Sequence, residues 1–205
     1  MFRADLIPDN LGHYFAGFVD GEGSFHLSFR RRSDYKLPWK VSLCLNVSQK
    51  DHQILAQFQE LLQCGTIRFK GAGVWMFEVN RLDQLREHVI PFFQRFGFLS
   101  AKKQRDFAIF QQMAQLMNEG FHLHEPGIRQ LLDLRRNMND GGKRKYAEHE
   151  ILTAFHPPES SETIRRTSTV PTVEDDIVRS VGRPAEPSRN GLAHTSEEGQ
   201  TSEDS

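Results

Sequence analysis

Hydrophobic and polar positions follow two different periodicities along the first 156 residues. Residues 11–20 place apolar side chains at helical spacing, and Asp9 or Asn10 is the expected cap of this helix. Residues 24–32 and 39–49 instead alternate with a period of two, which is typical of strands with one buried face.

The same two periodicities, helical and strand-like, recur after residue 50. We predict a helix from residue 52, capped by Asp51, and two short strands on either side of residues 71–73. Helical patterns follow from residue 81 to residue 117, and again over residues 126–138 and 143–155. The predicted order is therefore α-β-β-α-β-β-α, followed by further helices.

This order predicts an α+β fold, in which two hairpins form one antiparallel sheet and helices cover one face. A cluster of phenylalanines in the later helices is expected in the core: Phe92, Phe93, Phe96, Phe98, Phe107 and Phe110. The alternation turns Lys40 and Cys44 towards the uncovered face, together with a set of mainly polar or cationic residues: His26, Ser28, Arg30, Ser42, Asn46, Ser48, Thr66, Arg68 and Lys70.

Amide, hydroxyl and cationic groups in this mixture suit the base edges and phosphates of a DNA groove. A solvated sheet face has much the same composition, so the pattern alone leaves both interpretations open. The run Lys143-Arg144-Lys145 is a further candidate for contacts with backbone phosphates.

Charge is distributed unevenly along the chain. Residues 157–205 contain five arginines and ten acidic residues, which leaves 21 basic and 17 acidic residues in residues 1–156. The tail has almost no large apolar residues, so we expect it to be disordered and residues 1–156 to form the folded domain. This domain is mildly basic, which permits nucleic-acid binding.

The remaining composition indicates a cellular context. Cys44 and Cys64 form neither a metal-ligand spacing nor a disulfide framework, which fits a reducing compartment. No apolar run approaches the roughly 20 residues of a membrane span, and the first residues lack the core of a signal peptide. We therefore expect a soluble, intracellular protein without membrane association.

The stretch FAGFVDGEG at residues 15–23 has an unusual pattern for a helix, because glycine costs about 1 kcal/mol relative to alanine inside one. Gly17 and Gly21 lie one turn apart on one face, where a second helix could approach closely; the alternative is that Gly21 merely ends the helix. A carboxylate is disfavoured at the negative C-terminal end of a helix. Glu22 therefore needs a cation, such as a metal shared with a twofold mate, whereas Asp20 is expected to make a structural contact.

The stretch resembles the signature of the LAGLIDADG homing endonucleases. Phe15 and Phe18 replace leucines, and Glu22 stands in the place of the second aspartate. The similarity extends over about residues 10–140 and includes VSQK at 47–50, GTIRFKG at 65–71 and KKQ at 102–104.

The resemblance implies an intron-encoded enzyme that hydrolyses both strands of double-stranded DNA at a long, nearly palindromic site. It implies Mg²⁺ as cofactor, with Mn²⁺ as a substitute, and a homodimer, because single-motif members pair their motif helices on the twofold axis. Glu22 matches the metal-binding acid and Gln49 a water-ordering residue. Lys102 falls near an active-site lysine, with Lys103 as the alternative. Gln53 stands where some relatives carry an arginine, which removes one cation from the expected site.

Two other functions occur on the same fold. One is an RNA-binding maturase that assists splicing of its own intron, and the other is a regulator that binds DNA without cutting it. Retention of Glu22 and Gln49 favours the nuclease.

Overall fold

The computed structural model describes residues 2–32, 39–141 and 144–155. These residues belong to one of two compact units into which the chain divides, residues 1–161 and 162–205. The predicted disordered tail lies outside the described residues, so its disorder stays a prediction.

The predicted order of helices and strands is confirmed. Helix α1 (Asp9–Glu22) leads directly into strand β1 (Gly23–Arg31), which pairs with β2 (Trp39–Gln49). Helix α2 (His52–Leu62) precedes the hairpin of β3 (Thr66–Gly71) and β4 (Val74–Val79). The later helices are α3 (Leu82–Gln84), a π-helical turn (Leu85–Val89), α4 (Ile90–Phe96), α5 (Ala101–Asn118), α6 (Glu125–Arg136) and α7 (Glu148–Thr153). Short 3-10 turns lie at Ala4–Leu6, Phe121–Leu123 and Asn139–Gly141.

The four strands form one antiparallel sheet in the order β1-β2-β4-β3, and helices α1, α2 and α5 contact one of its faces. The core lies between them and is rich in aromatic rings. Phe15 of α1 stacks on Phe58 of α2 with 5.0 Å between ring centroids, and both rings are buried. Phe25 of β1 contacts Phe110 at 4.7 Å. The predicted core phenylalanines are all buried, and each contributes roughly 1.5–3 kcal/mol through the burial of its side chain.

One of the two predicted helix caps needs correction. The cap of α1 is Pro8 rather than Asp9 or Asn10, and Asp9 is the first helical residue, with its carboxylate 2.7 Å from the guanidinium of Arg95. By contrast, Asp51 does cap α2, since its side chain accepts a hydrogen bond from the backbone N–H of Gln53.

The last predicted helix is much shorter than its pattern suggested. Within residues 144–155, only Glu148–Thr153 is helical. The Arg144 guanidinium donates instead to the backbone carbonyls of Arg135 and Met138, at the end of α6. The ring of Tyr146 packs against Trp39 with 4.8 Å between centroids. These tertiary contacts hold residues 144–147 in a non-helical path.

Helix α1 continues through Gly21, so the interpretation that Gly21 ends the helix is wrong. The chain turns into β1 at Gly23, whose backbone is already extended. A side chain at Gly23 would collide with Val19, so the direct passage from helix to strand requires glycine at this position. None of the helices in the described ranges is both long and apolar enough to cross a lipid bilayer.

Candidate functional site

Three candidate residues meet where α1 passes into β1, a place we call the α1–β1 junction (Glu22 and Gly23). Gly23 pairs with Val47 of β2, so the end of that strand, Gln49, comes alongside the junction. From the opposite direction, the Lys103 ammonium of α5 donates a hydrogen bond to the Gly23 carbonyl. The motif, the VSQK segment and the KKQ segment therefore converge in space.

The two carboxylates of the motif have different surroundings. Asp20 accepts hydrogen bonds from the backbone N–H groups of Leu99 (3.2 Å) and Ser100 (2.9 Å), and from the Ser100 hydroxyl. Burial alone would raise the pKa of Asp20, but these hydrogen bonds and the nearby Lys103 ammonium lower it overall. The prediction that Asp20 makes a structural contact is confirmed, and the contact holds the start of α5.

Glu22 has no such partners. Its side chain is exposed, and among the described residues it makes neither a hydrogen bond nor an ion pair. A carboxylate at the C-terminal end of a helix, without a compensating cation among the described residues, is available to a ligand from outside.

The two candidate lysines lie in different places and have different partners. The Lys102 ammonium forms an exposed ion pair with Asp140, at 2.7 Å, away from the junction. Lys103 is half-buried, and burial lowers its pKa while the carboxylates of Asp20 and Asp106 oppose this shift. The geometry therefore favours Lys103 over Lys102 as the lysine that reaches the α1–β1 junction.

Gln49 and Gln53 are the remaining side chains of the predicted site. The Gln49 side-chain oxygen accepts a hydrogen bond from the backbone N–H of Lys50 at 2.8 Å, and its amide nitrogen has no partner among the described residues. That nitrogen can therefore donate to a water molecule or a phosphate. Gln53 lies exposed in the first turn of α2.

Nothing in the described part of the chain packs closely against the two motif glycines. A Cβ atom at Gly17 or Gly21 would meet no other atom within 4 Å, and both residues are exposed. Tyr14, one turn before Gly17, is 57% exposed. This face of α1 is therefore available to a second helix, as the glycine spacing predicts.

The sheet carries the predicted polar face on the side away from the helices. Register pairs Ser28 with Ser42 and Ser24 with Asn46, while Thr66 lies opposite Glu78. The pairing places eight of the predicted residues on this face: His26, Ser28, Arg30, Ser42, Asn46, Ser48, Thr66 and Arg68. Lys70 lies at the bulge between Phe69 and Gly71, where the pairing assigns it to neither face. The position of the eight is confirmed, and the contact of the whole set with DNA stays a prediction.

Several properties of the polar face were not foreseen. Cys44 lies on it but is buried, and burial raises the pKa of its thiol to about 11. Glu78 of β4 was missed, although the alternation of β4 predicts its direction; Arg68 donates to its carboxylate at 3.1 Å. Burial lowers the pKa of His26, so its ring is neutral at pH 7. The side-chain oxygen of Asn46 is buried without a partner among the described residues.

The described residues do not supply a complete metal site by themselves. Within the described ranges, no three side chains of His, Cys, Asp or Glu lie close enough together to hold an ion. The oxygen of Glu22 is a suitable ligand for a hard divalent cation, but such an ion needs further ligands from a second subunit, water or substrate.

Comparison with known proteins agrees with this geometry. Residues 15–114 match the family model described as LAGLIDADG endonuclease. A protein of Neurospora crassa named probable intron-encoded endonuclease 2 is 28% identical over 132 residues, covering 62% of this chain and 29% of that protein. The DNA endonuclease I-CvuI of Chlorella vulgaris is 35% identical over 86 residues, covering 40% of this chain and 53% of that protein. The chain thus spans about half or less of the length of these relatives.

Solved structures of homing endonucleases also resemble this chain. I-SmaMI bound to its uncleaved DNA target in the presence of calcium ions superposes with a TM-score of 0.61 and 26% identity, covering 71% of this chain and 49% of that chain. The homing endonuclease I-TnaI has the same fold, with a TM-score of 0.61 and 24% identity over 73% of this chain and 97% of that chain. With the motif once in its 205 residues, at the end of α1, the chain resembles the LAGLIDADG endonucleases over residues 15–114.

Proposed function

We propose that this chain is one subunit of a homodimeric, site-specific endonuclease that hydrolyses phosphodiester bonds in double-stranded DNA. The observation that carries the proposal is the α1–β1 junction. Among the described residues the Glu22 carboxylate is unpaired there, the Lys103 ammonium reaches the carbonyl of the next residue, Gly23, and Gln49 ends the strand that pairs with Gly23. The names of the relatives, which are intron-encoded or DNA endonucleases, support the same activity and an intron-encoded origin.

Glu22 is the proposed metal ligand, and the same residue of the second subunit would complete the pair. Mg²⁺ suits a site made of carboxylate and water oxygens, with Mn²⁺ as a substitute. A bound divalent cation supplies positive charge against the charge that develops on the attacking and leaving oxygens. Pairing the two subunits through Gly17 and Gly21 would place both carboxylates near one twofold axis.

The other junction residues have distinct tasks in this proposal. The free amide nitrogen of Gln49 would hold a water molecule by a hydrogen bond. Lys103 would provide a point charge near the scissile phosphate, because its ammonium already reaches the junction. The polar sheet faces of the two subunits would lie along the major groove, where side chains can read base edges.

Substitution of Glu22 by Gln tests the proposal. It keeps the shape of the side chain and removes the charge, so DNA binding and the dimer should persist. We expect cleavage to slow by about a thousandfold, equivalent to about 4 kcal/mol of barrier. The assay follows nicking and linearisation of a pool of supercoiled plasmids carrying candidate sites, with Mg²⁺ and then with Mn²⁺.

Glu87→Gln is the matched control, because Glu87 is also exposed and lies in the π-helical turn, away from the junction. It should cleave at the wild-type rate. Equal rates for Glu22→Gln and wild type would refute the metal-ligand assignment. If the wild-type protein binds the sites without cutting any of them, the nuclease assignment is refuted. The protein is then a non-cutting regulator or, if it promotes splicing, a maturase.

A further inference from the structure

A cavity of about 450 Å³ lies beside the edge strand β1, outside the α1–β1 junction. One side is formed by three residues of the polar sheet face, Ser24, His26 and Ser28. The other side comes from α6 and the segment after it, and carries Arg135, Arg144 and Lys145. No carboxylate is among the described residues that line it.

Arg135 is the unusual member of this cavity. It is 7% exposed, yet within the described part of the chain no carboxylate pairs with it, and its Nε atom has no hydrogen-bond partner. Its guanidinium lies over the ring of Phe29 at 5.2 Å. Burial lowers its pKa, and the nearby charge of Arg144 lowers it further. An unpaired buried cation is costly, and an apolar side chain would serve the packing better.

The neighbouring charges add to the positive potential. Arg144 donates to the carbonyls of Arg135 and Met138 at 2.8 and 2.9 Å, which keeps a second guanidinium close to the first. The carboxylate of Glu148 opposes the lowering of the Arg135 pKa, but it is shared with Arg136, which donates to both of its oxygens. The cavity is therefore cationic, because three positively charged side chains line it and no carboxylate is among its described lining residues.

We propose that this cavity binds one phosphate group of the backbone of DNA lying on the sheet face. Guanidinium groups present planar pairs of donors that match phosphate oxygens, and Ser24 and Ser28 can add hydroxyl donors. The position fits a backbone contact, because the cavity flanks an edge strand of the sheet, and contacts with phosphates position a protein along the duplex. The inference rests on the proposed DNA-binding function and adds a contact outside the motif.

The test compares how salt affects the binding of a labelled 30-base-pair duplex, measured by fluorescence anisotropy in EDTA so that nothing is cut. Each phosphate contact contributes about 0.9 to the slope of log K against log salt concentration. Arg135→Met should lower this slope by about 0.9 per subunit and weaken binding about tenfold at low salt. Its melting temperature should be equal or higher, because a buried unpaired charge has been removed.

Arg86→Gln is the matched control, since Arg86 is exposed in the π-helical turn and also loses one positive charge. It should leave the slope nearly unchanged. Arg144→Gln is the second variant and should lower the slope as Arg135→Met does, so the test does not depend on the folding of one variant.

The outcomes separate this inference from the proposed function. Wild-type protein that fails to bind any duplex overturns both. Wild-type binding with an unchanged slope in both Arg135→Met and Arg144→Gln overturns only the phosphate contact. An unchanged slope, together with thermal stabilisation of the wild type but not of Arg135→Met by inorganic phosphate, would identify a site for free anions and overturn the DNA contact.

Discussion

Asp20 and Glu22 lie two residues apart, yet the structure predicts opposite results when each is changed. Asp20→Ala removes the acceptor for two backbone N–H groups and one hydroxyl at the start of α5. Each such hydrogen bond is worth about 1 kcal/mol net, and water can replace part of the loss at this half-exposed place. We expect a destabilisation of about 2 kcal/mol, which lowers the melting temperature by roughly 4–8 °C in a domain of this size.

Asp20→Asn tests the contribution of the Asp20 charge separately from that of its hydrogen bonds. It keeps one acceptor oxygen and loses the negative charge near the helix N-terminus, which costs about 1 kcal/mol. The pKa of Asp20 is lowered in the folded protein, so the ionised carboxylate stabilises the fold. This contribution is fully present above about pH 5, where Asp20 is ionised in both the folded and the unfolded chain. The gap in melting temperature between wild type and Asp20→Asn should therefore be constant from pH 5 to 7. It should shrink below pH 4, as the pH falls through the folded pKa.

Calorimetry at fixed protein concentration measures these differences, and plasmid cleavage at 25 °C measures activity. Asp20→Asn should cleave at nearly the wild-type rate while folded, whereas Glu22→Gln should melt like the wild type and cleave far more slowly. The reasoning is refuted if Asp20→Ala melts at the wild-type temperature. It is also refuted if folded Asp20→Asn loses cleavage as severely as Glu22→Gln, because Asp20 would then act in the chemistry.

Three more predictions follow from the same geometry. Gly17→Leu should leave the subunit folded, because its Cβ position is open, and should convert the dimer to a monomer in sedimentation equilibrium; a dimer of wild-type mass would contradict this. Lys103→Gln should slow plasmid cleavage at least tenfold, while Lys102→Gln, which removes the charge paired with Asp140, should have a smaller effect. A chain that ends at residue 156 should show unchanged helical circular dichroism and bind a duplex slightly more tightly, since the acidic tail is gone; loss of binding would give the tail a role.

Much of the fold was predictable because strand alternation has a period of two and assigns each side chain to a face. The alternation in β1 and β2 placed His26 and Asn46 correctly, and the hairpins then fixed the register. Burial on a face was less predictable. Cys44 points in the predicted direction but is buried, because accessibility depends on neighbouring strands and not on direction alone.

The choice between Lys102 and Lys103 could not be made from the sequence. Adjacent residues on a helix point about 100° apart, so which of them reaches the α1–β1 junction depends on how α5 packs against β1. Arg135 was missed for a different reason. It follows Ile128, Leu131 and Leu132 at helical spacing, which is the position of a buried residue of α6, whereas arginine side chains are mostly exposed.

Helix geometry explains why one short motif can carry two carboxylates with separate tasks. At 3.6 residues per turn, positions two apart point about 200° apart, so Asp20 and Glu22 leave α1 on opposite sides. Asp20 meets the start of α5 within its own subunit, where backbone N–H groups satisfy it. Glu22 faces away from those donors, at the helix end where the dipole disfavours an anion by about 0.3–1 kcal/mol. The fold supplies no internal cation for it among the described residues, and direct passage into β1 at Gly23 leaves no loop that could bring one. Glu22 is therefore held in a slightly unfavourable position that a cation from outside the described residues would relieve, which is the physical reason to look for its partner in a second subunit or a bound cation.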